Sequence, residues 1–174
     1  MTTPDPAQLD AQGKRAFENK NFNEAANYFQ QAAEGYALHQ KPLLAAEMMN
    51  NASVAFLQAD KSIEALNAAL NTDEIFAGGN DIKKQAMALG NQAAALESLS
   101  RYDEAIAKYE QSSKLFNEIN EGDLSAMVLK SSAAIKLKTG KVTDSAFRMI
   151  GSLEAKENPT FFERILKFFL RFIK

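Results

Sequence analysis

The chain contains no cysteine, so disulfides, thiolate metal sites and a cysteine nucleophile are all excluded. A single histidine, His39, stands in a loop next to Pro42 and reads as a solvated turn residue rather than a general base or ligand. No apolar run approaches the roughly 18 residues that a membrane-spanning helix needs. No stretch alternates with period two, so strands have no support. Met1-Thr2-Thr3-Pro4-Asp5 holds neither a basic n-region nor an apolar h-region, and no secretory signal is expected. Carboxylates such as Asp73 and Glu74 are scattered and read as a solvated helix end, and Gly78-Gly79 lacks any phosphate-loop pattern and reads as a helix terminator. No cofactor, metal site or catalytic residue is expected.

What the chain does hold is helix-forming composition. Glycine and proline are sparse while alanine, leucine, glutamate, glutamine and lysine dominate. Hydrophobic residues make up 46% and charged residues 24%, as in soluble globular proteins. The 174 residues suffice for one domain or a small array with a continuous core. The net charge of −2 is unevenly spread: from Pro159 onward four cations stand against one acid, leaving a mildly acidic body with a basic tail. Nucleic acid is not an expected partner, because phosphate recognition needs a concentrated basic surface.

A period of forty residues runs through the chain. Glu24, Glu64, Glu104 and Asp144 lie forty apart, followed by Ala25, Ala65, Ala105 and Ser145 and preceded two places earlier by Phe22, Ser62, Tyr102 and Val142. In the same register come Leu9, Met49, Leu89 and Leu129, then Gly13, Ser53, Ala93 and Ala133, then Phe29, Ala69, Tyr109 and Met149. Such a period means stacked helix pairs, since one pair cannot bury its apolar side alone. Turn signals place repeats at about 5–41, 42–80, 81–122 and 123–158 within a repeat domain 1–158, with intra-repeat turns at Asn19–Asn21, Ala59–Lys61, Ser100–Arg101 and Thr139–Lys141. Asp5 before Pro6, Pro42, Asp81, Asp123 and the pair Thr160/Glu163 mark helix starts. The expectation is an all-α chain of nine helices, four hairpins and one more.

Phe22-Asn23-Glu24-Ala25-Ala26 and Tyr102-Asp103-Glu104-Ala105-Ile106 resemble the inter-helix turn of tetratricopeptide repeats, over roughly residues 5 to 157. Gly13, Ser53, Ala93 and Ala133 match that motif's small site on the first helix, and Ala32, Thr72, Ser112 and Ser152 its small site on the second. The spacing exceeds the usual 34-residue unit, and the lengthened form is similar to forty-residue variants found in adaptor proteins. The resemblance implies a right-handed α-solenoid, acting without catalysis as a scaffold whose first helices line a concave groove for a peptide or helix.

By helical position and this resemblance the groove carries Asp10 and Lys14, then Asn50, Asn51 and Val54, then Met87, Asn91 and Ala94, then Met127, Lys130 and Ala134. Asn51 and Asn91 are one period apart, and an amide can both donate to and accept from the backbone of an extended ligand. Met87 and Met127 are equally matched and read either as adaptable apolar contacts or, the favoured reading, as core filler beside Leu89 and Leu129. The basic clamp that some family members use for acidic chaperone tails is not expected: Met87 and Asn91 stand where its cations would be.

Residues 159–174 differ in kind. Phe161, Phe162, Ile165, Phe168, Phe169 and Phe172 fall on a wide apolar arc, opposite a strip carrying Arg164, Lys167 and Arg171. Three readings stay open: a cap on the last repeat, an interfacial helix on an anionic membrane, or a self-association face making a homo-oligomer. The expected location is cytoplasmic, either free or peripheral to a membrane. The partner is expected to be a protein or peptide.

Overall fold

A computed structural model describes residues 5–140 of the protein, which are all-α, with no strand among the described residues. The helices are α1 (Pro6–Glu18), α2 (Phe22–Leu38), α3 (Pro42–Gln58), α4 (Ser62–Ala69), α5 (Thr72–Gly78), α6 (Ile82–Ser98), α7 (Tyr102–Glu118) and α8 (Gly122–Lys138). The chain divides into a compact unit ending at Ser132 and another beginning at Ala133. In the second, the described residues are the end of α8 and its exit, where the Thr139 hydroxyl donates to the Ile135 carbonyl at 2.8 Å.

The forty-residue period resolves into two half-periods of twenty. Lys20, Gln40, Asp60, Asn80, Ser100, Asn120 and Gly140 all have positive φ, between 56° and 68°. Each follows a helix end, and six of them complete the same pair of hydrogen bonds. At the first, the Lys20 N–H reaches the Phe17 carbonyl and the Asn21 N–H the Ala16 carbonyl, both at 2.9 Å; at the fifth, Ser100 reaches Glu97 and Arg101 reaches Leu96. This left-handed closure satisfies carbonyls that a helix end otherwise orphans. The cost falls on residues with a Cβ, since left-handed backbone is unfavourable for them by roughly 1–2 kcal/mol. Side chains hold the starts of α1 and α6: Asp5 accepts from the Ala7 N–H at 3.2 Å, and Asp81 from the Lys84 N–H at 3.0 Å.

Small residues at matched positions set the packing. Ala25, Ala65 and Ala105 are wholly buried, as are Ala32 and Ser112 at the next matched site. Phe29, Ala69 and Tyr109 follow in the same register, all buried. At Gly13 an added Cβ would stand 2.7 Å from the Phe29 ring, so only glycine lets α1 and α2 approach this closely. Phe76 is the largest fully buried side chain among the described residues and packs with Ala46 and Ala88.

The second repeat departs from the expected single second helix. Residues 62–78 form α4 and α5, parted by an extended Leu70 (ψ 136°) and a left-handed Asn71 (φ 63°). Its physical basis is a buried polar cluster. The break leaves the Ala69 carbonyl without its helical partner. The Gln92 amide from α6 donates to it at 3.0 Å, and the Thr72 hydroxyl lies 2.8 Å from it. Thr72 also lies 3.1 Å from the Asn50 amide oxygen of α3, and Gln92 donates its other proton to Asp73 at 2.6 Å. Buried polar groups are tolerable when partnered in this way. Asp73 is thus at a helix start inside this cluster, while its neighbour Glu74 is exposed.

Candidate protein-binding groove

Lys14, Phe17 and Glu18 of α1 meet Phe29 of α2 and Asn51 and Val54 of α3 around a pocket of about 250 Å³. Phe17, Phe29 and Val54 supply an apolar lining, and an ammonium, a carboxylate and an amide stand among it. Of the expected groove residues, Lys14, Asn51 and Val54 come together here. Phe17 and Glu18 are additions, legible in hindsight from their spacing of one helical turn from Lys14. The Phe17 ring is fixed edge-on against Phe22, with centroids 5.3 Å apart and planes at 64°. Lys14 is held by Asp10 at 2.7 Å, and this hydrogen bond raises the ammonium's pKa against the lowering effect of burial.

Further along the first helices, Asn91 is half-buried like Asn51, forty residues earlier. Glu47 of α3 and Lys84 of α6 join across neighbouring repeats at 2.9 Å, with Asp81 at 3.7 Å, and the bond to Glu47 raises the Lys84 pKa. The Lys84 ammonium also lies 6.0 Å from the centroid of Phe76, at the outer limit of a cation–π contact. Lys83 pairs in the same way with Glu121, tying α6 to the α7–α8 turn. The wall is therefore nearly neutral in its charged contacts.

Among the described residues no group of histidines and carboxylates could hold a metal ion, and no helix is long and apolar enough to cross a membrane. His39 lies exposed in the α2–α3 turn. A second hollow of about 490 Å³, lined by Ala37, Gln40, Pro42, Ala45 and Ile75, has no titratable side chain on its walls. The mainly apolar walls of both hollows, with few polar groups, suit recognition.

The family model for soluble NSF attachment proteins, SNAP, matches residues 12–159. The chain belongs to that family. No curated protein matches it. The SNAP assignment makes the chain a non-catalytic helical adaptor that binds protein partners, and it agrees with the resemblance to tetratricopeptide repeats at the level of stacked helical hairpins. The forty-residue spacing rests on this chain's own sequence and turns.

Asn50 and the two methionines of this SNAP-family array differ from expectation. Asn50 is buried, its amide oxygen beside the Thr72 hydroxyl, so it braces the α4–α5 break and does not line the pocket that Asn51 and Val54 share. Met87 and Met127 are 49% and 61% exposed, which overturns the reading of them as core filler. Leu129, expected to pack beside them, is itself 44% exposed. Lys130 is exposed. Phe161, Phe162, Arg164, Ile165, Lys167, Phe168, Phe169, Arg171 and Phe172 lie outside the described residues, as do the second half of the fourth repeat and the expected ninth helix.

Proposed function

We propose that the protein is an adaptor that captures a peptide or helix of a protein partner along its first helices. Asn51 and Asn91 hold backbone, while Val54, Met87 and Met127 supply apolar contact and Lys130 a charged one. The observation that carries this reading is the convergence of Lys14, Asn51 and Val54 with Phe17 and Phe29 around one open, mainly apolar pocket. Polar groups few in number on an apolar wall are the usual make-up of a recognition site. The family is named for attachment to NSF, and NSF is therefore the first partner to try. The double variant Asn51→Ala with Asn91→Ala weakens its binding about tenfold or more, as expected for two lost hydrogen bonds at roughly 1 kcal/mol each, and leaves the melting temperature nearly unchanged. Calorimetric titration measures the first and thermal unfolding the second; unaltered affinity removes the two asparagines from the site.

The amphipathic pattern of residues 159–174 supports a second reading, in which the repeat domain 1–158 is presented at a membrane surface in the cytoplasm. Its five phenylalanines and cationic strip match interfacial helices on anionic lipid. Co-sedimentation with anionic liposomes, whole chain against a chain ending at Glu157, decides it: salt-sensitive pelleting of the whole chain alone supports an anchor. If neither pellets and the shortened chain melts lower, the tail is a cap. Formation of a homo-oligomer only by the whole chain makes it a self-association face.

A further inference from the structure

We infer that the α4–α5 break is a two-state joint, in which the Ala69 carbonyl exchanges hydrogen-bond donors between a broken and a continuous second helix. In the form described, that carbonyl takes the Gln92 amide and faces the Thr72 hydroxyl, while Asn71 is left-handed. In the continuous form the carbonyl takes the Asp73 N–H, its partner four residues on. Asn71 turns right-handed and Gln92 keeps Asp73 alone.

Three observations favour two states over a fixed kink. Residues 62–78 number seventeen, as do α2 and α7, and end in the same closure at Asn80, so a continuous helix fits between the same turns. No proline enforces the break, and the Asn71 side chain is exposed, so neither a ring nor a buried side chain at that position fixes its backbone. The buried carbonyl has a donor available in either form, which keeps the two close in energy. An unpartnered one would cost about 1–3 kcal/mol and leave a single state.

The joint is braced by residues adjacent to the groove. Asn50 and Gln92 immediately flank Asn51 and Asn91, so a shift of α3 against α6 moves both braces together. On the groove reading proposed above, a ligand spanning Asn51 and Asn91 biases the joint and with it α5, which carries Phe76 into the core and Ile75 onto the surface. The joint itself needs no ligand and is tested without one.

The test is amide relaxation dispersion on the full chain. Residues 70–74 show microsecond-to-millisecond exchange, and the matched residues 110–114 of α7 do not. Asn71→Ala makes the left-handed form dearer and populates the continuous helix: the Asp73 amide becomes protected from hydrogen exchange by about tenfold, the worth of one hydrogen bond. Asn71→Gly favours the left-handed form and quenches the dispersion. Because the Asn71 side chain is exposed, neither substitution itself removes a buried side chain. A flat dispersion profile in the unaltered protein overturns the proposal. So does Asp73 exchange that is unchanged in Asn71→Ala, since a fixed kink alters stability without moving these signals in opposite senses. Failure here leaves the groove reading untouched, because that reading is measured by partner affinity.

Discussion

The second and third repeats present one design with two outcomes. Position 50 is asparagine and position 90, forty residues on, is glycine; position 72 is threonine and position 112 is serine. In the third repeat Ser112 reaches the Ala86 carbonyl at 2.7 Å, across the space that Gly90 leaves open, and α7 runs unbroken for seventeen residues. In the second, Asn50 fills that space and meets Thr72, and the helix breaks two residues before it. Asn50 where the next repeat has Gly90, and Gln92 where it has Ser132, thus accompany a jointed second helix in place of a straight one.

The largest effect that tests this contrast is truncation of the matched phenylalanines, Phe76 and Phe116, both buried. Each alanine variant is expected to cost about 3–5 kcal/mol in urea unfolding. Phe76→Ala should in addition release α5 first, seen as early loss of amide protection over residues 72–78, because a seven-residue helix cannot stand alone. Phe116→Ala should leave α7 cooperative with the rest. Equal, global loss in both variants would show that the break does not isolate α5.

Next in size, Gly90→Asn transfers the second repeat's side chain into the third. An added Cβ there lies at ordinary contact distance, 3.6 Å, from the Ser112 hydroxyl, so the remainder of the side chain is expected to crowd that hydroxyl's bond to Ala86. A cost of about 1–3 kcal/mol is expected from overpacking, with loss of helical amide protection near Glu110 and Gln111. Retained protection there would locate the cause of the break in residues 70–73 themselves.

The turns sharpen the comparison in the opposite direction. Lys20→Gly and Ser100→Gly should each stabilise the chain by about 0.5–1 kcal/mol, because glycine accepts the left-handed backbone without the Cβ penalty. Asn71→Gly should give less, since asparagine is the side chain best suited to that region. Thermal unfolding of the three variants ranks them.

The smallest effect is electrostatic. Lys84 has its pKa raised by Glu47, so its contribution is fully present below the ordinary lysine value of 10.5 and is lost as pH rises through the raised value. The melting temperature of the unaltered chain should therefore fall above pH 10.5 slightly more than that of Glu47→Gln. The difference amounts to a few tenths of a kcal/mol, about what half-exposed pairs contribute.

Much of the fold was legible because it depends on local chemistry repeated in step. The turns at Asn19–Asn21, Ala59–Lys61 and Ser100–Arg101, and the helix starts at Pro6, Pro42 and Asp81, lie where the sequence signals place them. The small residues Ala25, Ala65 and Ala105 are buried in matched places for the same reason: close helix approach excludes anything larger. The groove was legible in part. Lys14, Asn51 and Val54 share one pocket because a helical face brings together residues three and four apart, within a helix and across repeats.

The rest was decided by neighbours that no linear pattern identifies. Asn50 and Asn51 are consecutive, yet one is buried and the other lines a groove, because successive helical residues point about 100° apart and α5 stands over the first of them. Met87 and Met127 have the composition of core filler but lie on the open side of their helices. The break at Leu70–Asn71 has its donors on α6 and its facing amide on α3, some twenty residues away on either side. The sequence by itself determined the period, the turns and the helical hairpins, since these follow from backbone closure and side-chain size repeated every forty residues. Only the tertiary structure decided which asparagine is buried as a brace and which lines a pocket, and where one helix becomes two, because both depend on polar groups brought together by packing.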